Sequence, residues 1–252
     1  MSRKLGVVAA LWRYPVKGMQ GESVEQAKID QNGIIGDRAY VLRDLTPNQD
    51  PAKAGISRPG AVLGAVGAIQ LRAKYVREPQ PAETNNLLIT APNGASLASG
   101  DVGIDIFISS ALDKKVSLIS LPEMAVNRAR RGRALHLLTT SSLRKLREHY
   151  PAGDFDPKRF RPNIVIETPE GEKGFVEEGW QGKTLLVGPE IEVRVEEPNE
   201  RCAVPTLQQG DLPFDPNILR TIATLNESNL GVMCSVIKGG LTRVGDELRS
   251  ST

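Results

Sequence analysis

The sequence predicts a mainly β protein with a few short helices, a β-rich α+β chain whose C-terminal half forms a closed or nearly closed barrel. Three observations predict it. Short runs rich in Val and Ile recur at near-regular spacing, separated by Gly or Pro. Asn32-Gly33 and Asn93-Gly94 punctuate the N-terminal half as tight-turn signals. Helical patterning is confined to short segments.

Taken in order, Leu5 to Tyr14, Val24 to Ile29 and Arg38 to Arg43 read as strands, with Asn32-Gly33 turning between the last two. Asp44 to Gly60 holds three Pro and two Gly and reads as a long surface loop. Asn86 to Thr90 is a further strand, Gly103 to Leu112 a short helix or strand, and Val116 to Leu121 a strand. The chain turns polar and basic over Pro122 to Gly132, which sets the expected boundary between an N-terminal β domain (1–125) and a C-terminal domain (126–252). Ser141 to Tyr150 spaces Leu143 and Leu146 among Lys, Arg and Glu and stops before Pro151, as an amphipathic helix capped by Ser or Thr would. Asn163 to Glu167, Thr184 to Val187, Ile191 to Val195, Val232 to Ile237 and Leu241 to Val244 supply the barrel strands, and Asn217 to Leu225 a helix.

Composition excludes several function classes. With 32 Lys and Arg against 30 Asp and Glu, the net charge of +2 gives no general attraction to nucleic acid or to a membrane surface. No run approaches the roughly 18 apolar residues of a spanning helix. The apolar run from Leu5 is interrupted by Arg13 and reads as a strand rather than a leader. Two distant cysteines form no disulfide framework, so a cytoplasmic location is expected. Two Cys and two His are too few for a four-thiolate iron–sulfur cluster or a structural zinc site. No Gly-x-Ser-x-Gly elbow, phosphate-binding Gly loop or dinucleotide fingerprint is present.

What remains is a scattered set of complementary residues at strand ends: Lys17 after the first strand, Asp37-Arg38 before the third, Arg161 and Asn163 before a later one, and Arg201-Cys202 after another. Cys202 next to Arg201 is a candidate thiolate and soft-metal ligand, or else a buried apolar cysteine. Cys234, alternating with Val232 and Val236, fits a core strand. The basic side chains suit phosphate if the fold gathers them and are solvated surface charges if it does not. Arg128 to Arg133 reads as a basic surface patch, with a place near the pocket mouth as the alternative. Thr139 and Ser141 either donate to a phosphate or cap the helix that follows.

The pieces LWRYPVKG, GIIGDRAYVL, RFRPNIVIE, ERCAVPT and LTRVGDEL, in that order across nearly the whole chain, resemble the MOSC superfamily with its N-terminal β domain. The superfamily includes the mitochondrial amidoxime reducing component and the C-terminal domain of molybdenum cofactor sulfurase. The resemblance implies a MOSC-type β-barrel and a molybdenum cofactor (Mo-molybdopterin), with Cys202 as catalytic residue and metal ligand. It implies Lys17, Arg38, Arg161, Asn163 and Arg201, joined by Thr139 and Ser141, as cofactor-binding residues. Two-electron reduction of an N-hydroxylated or N-oxide small molecule is the expected activity. Electrons would come from a separate reductase or ferredoxin-like donor, with no nucleic acid or membrane involved. Gly18 and Glu200 stand where the amidoxime-reducing branch has serines, so the resemblance does not fix the substrate. A Cys202 persulfide carrier and a cofactor-delivery module are the alternatives.

Overall fold

The computed structural model describes residues 2–45, 65–80, 86–120 and 129–251. Most of the expected loop Asp44 to Gly60, and much of the basic segment after Pro122, lie outside them. Two compact units divide the chain: Met1–Arg13, Ser23–Ile35 and Ala125–Thr252 form one, Tyr14–Glu22 and Gly36–Met124 the other.

The first unit is built on β1 (Lys4–Arg13), β2 (Glu22–Val24), β3 (Gln26–Asp30) and β4 (Gly33–Ile34) from the start of the chain. The second unit contains β5 (Tyr40–Asp44), β6 (Arg72–Tyr75), β7 (Leu87–Thr90), β8 (Ser96–Ala98) and β9 (Val116–Ser120). The chain then returns to the first unit with β10 (Leu135–Thr139), β11 (Ile164–Glu167), β12 (Thr184–Val187), β13 (Ile191–Glu200), β14 (Asn229–Lys238), β15 (Gly240–Arg243) and β16 (Glu247–Ser250).

Hydrogen bonding runs β11-β10-β14-β13-β12-β16-β1, and β1 pairs back onto β11, so seven strands close a barrel with β2 added beside β1. All neighbours in that circuit are antiparallel except β10 and β11. The strand that closes it, β1, comes from the first residues of the chain. β15 was expected in the barrel; it pairs instead with β3 in a separate three-stranded sheet with β4.

Alternation explains what each strand buries. Residues Val8 and Leu11 of β1, Leu135 and Leu137 of β10, Val193 and Val195 of β13 and Val232 and Cys234 of β14 point into one barrel core. A second apolar layer covers the outside of β10. There Leu138 meets Leu143 and Leu146 of helix α2 (Thr140–His149), Phe155 and Phe160 of the following loop, and Ile218 and Ile222 of helix α3 (Asn217–Asn226). β10 is therefore buried on both faces, a strand the sequence reading missed because LHLLT has no apolar–polar alternation.

In the second unit, Gly103 to Leu112 resolves as helix α1 (Ile104–Leu112). Asp105 in its first turn accepts from Ser117 Oγ at 2.7 Å and from the Leu118 N–H at 2.9 Å, tying the helix to β9. β5 pairs with β9 and begins at Tyr40, two residues later than expected, because Arg38 adopts the left-handed conformation at φ 54° and cannot extend the strand. Among the described residues no helix is long and apolar enough to cross a membrane.

Candidate functional site

In the barrel unit Arg161, Asn163, Arg201 and Cys202 lie on two chain segments, the turn entering β11 and the end of β13. A 3-10 turn, Pro157–Phe160, starts on Asp156, whose Oδ1 accepts from the Lys158 N–H at 2.8 Å, and ends on Arg161 in the left-handed region at φ 54°. That reversal delivers Asn163 to the barrel wall, where it is fully buried. Asn163 Oδ1 accepts from the His136 N–H at 3.1 Å, and Nδ2 donates to the Trp12 carbonyl at 3.3 Å. Its amide is engaged with β10 and β1, so in this structure Asn163 fastens the turn. Arg161 is 9% exposed, and its carbonyl lies 3.4 Å from His136 Nδ1.

β13 ends at Glu200 and Arg201-Cys202 follow. The Arg201 N–H donates to the Ser228 carbonyl at 2.8 Å, anchoring the strand end to the turn before β14. Its guanidinium Nη2 donates to the Phe160 carbonyl at 2.8 Å, and Cζ sits 6.0 Å from the Phe160 ring centroid. Cys202 next to it is exposed, whereas Cys234 is buried in the barrel. Burial pushes the Cys234 thiol up to about 12, with the carboxylate of Glu196 adding to the shift. Of the two thiols, Cys202 is the one solvent reaches.

Thr139 and Ser141 lie in the same unit. Thr139 ends β10 in an extended conformation, and its hydroxyl caps α2 by accepting from the Ser142 N–H at 3.3 Å. It also donates to Glu177 Oε2 at 2.6 Å, and Ser142 Oγ donates to the same carboxyl at 2.7 Å. Ser141 Oγ donates to the Gly174 carbonyl at 2.9 Å. Both predicted phosphate donors are thus occupied in holding the start of α2.

Lys17 and Arg38 belong to the second unit. The Arg38 N–H donates to the Tyr14 carbonyl at 2.7 Å, and the Lys17 N–H to that of Tyr40 at 2.8 Å. Asp37 Oδ1 accepts from the Tyr14 N–H at 2.9 Å while Oδ2 pairs with Arg38 Nη1. The Arg38 guanidinium lies 4.9 Å from the Tyr14 ring centroid. Asp37 therefore orients Arg38 as well as turning the chain.

Sequence reading missed four buried polar groups of the barrel unit. Arg159 is fully buried and donates to four carbonyls; burial lowers its pKa, opposed by the carboxylates of Asp154, Asp215 and Asp156. Glu177 is fully buried, and its pKa is raised by that burial despite the hydroxyls facing it. His136 links the Arg161 carbonyl to that of Leu230. Gln209, 4% exposed, buries an Nε2 group with no acceptor among the described residues. Only the Arg-Phe-Arg alternation of 159 to 161 hinted at any of them.

A comparison with curated proteins gives no match. Among solved structures, the YuaD protein from Bacillus subtilis is similar over 100% of both chains at 13% identity, with a TM-score of 0.53, a likeness of fold. YiiM from Geobacillus stearothermophilus aligns at 19% identity with 48% of this chain and 55% of its own, TM-score 0.36. YiiM from Escherichia coli aligns at 18% identity over the same shares, TM-score 0.36. Residues 5–50 match the MOSC N-terminal beta barrel domain. With residues 123–249, half of the sequence and every barrel strand but β1, matching the MOSC domain, the chain belongs to the MOSC family.

Proposed function

We propose that the chain binds the pyranopterin molybdenum cofactor and is a two-electron oxidoreductase for N-hydroxylated or N-oxide small molecules. Its electrons would come from a separate protein, a reductase or a ferredoxin-like carrier. MOSC domains are known in molybdenum-cofactor contexts. The observation that carries the reading is the exposed Cys202 thiol at the end of β13, next to an arginine held against the Phe160 carbonyl.

The donor set fits such a group. Among the described residues no three His, Cys, Asp or Glu gather to hold a bare ion. One accessible thiol suits a metal that arrives with most of its ligands already attached. The buried Nε2–H of Gln209, unmatched among the described residues and in the loop that Cys202 opens, offers a donor awaiting an acceptor. When bound, the cofactor would supply the metal and sulfur chemistry of oxygen transfer.

The chain's own residues then have defined tasks. Cys202 would present its sulfur as the anion. Arg201 and Arg161 would contribute charge for a phosphate. Asn163 would keep the Arg161 turn in register. Reduction of an N-hydroxyl group consumes two electrons and two protons and releases water, so a proton path is required beside the donor. The two free thiols suit a reducing compartment, and a cytoplasmic location is part of the proposal.

An accessible thiol equally suits a sulfur carrier bearing a Cys202 persulfide, and one experiment separates the two. The protein and Cys202→Ala are expressed in a host that makes the cofactor, then assayed for molybdenum, for cyanide-releasable sulfur and for reduction of an N-hydroxylated substrate by a chemical reductant. The expected result is molybdenum near one per chain and substrate reduction lost in Cys202→Ala. Sulfur release without molybdenum would establish the carrier, and full turnover in Cys202→Ala would remove Cys202 from the metal.

A further inference from the structure

We infer that Arg159 is the positioning residue for Cys202, fixing the path of the loop on which the thiol is displayed. The inference rests on the reading of Cys202 as the reactive thiolate. Its geometry does not depend on that reading.

Arg159 is fully buried. Nε donates to the Asp154 carbonyl at 2.7 Å, Nη1 to those of Pro205 and Leu207 at 3.2 and 3.3 Å, and Nη2 to that of Pro213 at 2.9 Å. Three of these four acceptors belong to the loop following Cys202. Pro205, Pro213 and Pro216 leave that stretch short of N–H donors, so its carbonyls turn inward to a side chain that has five. The loop's own bonds are local, such as Thr206 N–H to Ala203 at 3.0 Å and Asp215 N–H to Thr206 at 2.9 Å. These two bonds stay within the segment.

Cys202 is held from both sides by one four-residue turn. Upstream, Arg201 donates to the carbonyl of Phe160. Downstream, Pro205 accepts from Arg159, the residue next to Phe160. The sulfur itself remains exposed. A planar fork holding several carbonyls in different directions sets a backbone path, whereas a lysine's three donors on a flexible stem would not. Arg159 thus does for the thiol what second-layer partners do for metal ligands: it determines where the ligand atom sits without touching the reacting group.

The test uses the full-length protein prepared without molybdenum. Cys202 alkylation by iodoacetamide is followed by mass spectrometry from about pH 6 to about pH 10 for the parent, Arg159→Met and Arg159→Lys. Cys234 is sealed in the barrel core and serves as the internal marker of folding. The expected result is a plateau rate changed by about threefold or more in both variants, as the sulfur leaves its fixed direction. Arg159→Lys keeps the charge but not the planar fork, so its rate should change as well. A parent-like rate in Arg159→Met, with Cys234 still protected, overturns the inference. If Arg159→Met exposes Cys234, the decision passes to Arg159→Lys, where a parent-like plateau rate overturns it. Alkylation needs no molybdenum, so retained turnover in Cys202→Ala would sink the proposed function while leaving this result standing.

Discussion

Cys202 and Cys234 show how little a residue type says until its surroundings are known. The first follows an arginine at a strand end and is exposed; the second shares the barrel interior with Leu135 and Val195. Taking a thiolate out of water costs far more than taking a thiol, so Cys234, pushed up to about 12, stays protonated across the physiological range. A thiol reagent at neutral pH should therefore modify one cysteine in the folded protein and the second only with unfolding. Prompt modification of both would contradict the burial. Cys234→Ala should cost about 1 kcal/mol, through the small cavity it leaves. Cys234→Ser should cost about 1–3 kcal/mol, since a hydroxyl there needs a partner. Urea titrations of the two variants compare them directly. Reading Cys234 as core was possible because Val232, Cys234 and Val236 alternate in a strand. Reading Cys202 required the ordered set of motifs, since an isolated Arg-Cys step has no periodicity to place it.

At the scale of elements, the junction between β10 and α2 shows what sequence patterns carry and what they omit. The helix was legible from its apolar spacing, its hydroxyl cap and its stop before Pro151. The strand was not, because both faces are covered and the signal that identifies a half-exposed strand is missing. β16 was missed for the opposite reason: Leu248 is its one fully buried residue, too little to form a pattern. Glu177 lies in the 3-10 turn Val176–Trp180 and looks in the sequence like a surface charge between Val176 and Glu178. In the structure its carboxyl receives the hydroxyls of Thr139 and Ser142, so it supports the cap of α2 from inside. Its raised pKa has a consequence for stability. Below the ordinary glutamate value of 4.5 both folded and unfolded chains hold the proton and nothing is lost. As pH rises from there toward the elevated folded-state value, the folded chain binds more protons than the unfolded one, and stability falls. Glu177→Gln cannot ionise. The parent should therefore lose stability relative to Glu177→Gln as pH climbs above 4.5, in denaturant titrations at several pH values. Parallel curves would mean that burial does not govern this carboxyl.

On the scale of the whole molecule, the barrel is completed by a strand and a partner distant in sequence. β1 joins β16, four residues at the end of the chain, to β11 in its middle, so the circuit closes only when both ends of the sequence are in place. Short strands at regular spacing announce a barrel, but they do not reveal which strand makes the seam, because pairing partners leave no local pattern. Sequence separation also makes this closure a non-local pairing, of the kind that slows folding. Gly6 lies at the seam and leaves no room for a side chain. A Cβ at that position would lie 2.4 Å from the Glu167 carbonyl oxygen and 2.5 Å from Ile166 Cγ2, and backbone cannot be moved as a side-chain tip can. Gly6→Ala should therefore cost about 1–3 kcal/mol by forcing β1 and β11 apart. Gly171, where an added methyl would meet nothing within 4 Å, supplies the control: Gly171→Ala should stay within about 0.5 kcal/mol. The loss at Gly6 has a spatial signature that separates seam opening from general destabilisation. Amide exchange should accelerate first in β11 and β16, the two neighbours of β1, and last between β13 and β14 on the far side of the circuit. Uniform acceleration around the barrel, or a Gly6→Ala variant as stable as Gly171→Ala, would show that closure does not depend on that contact.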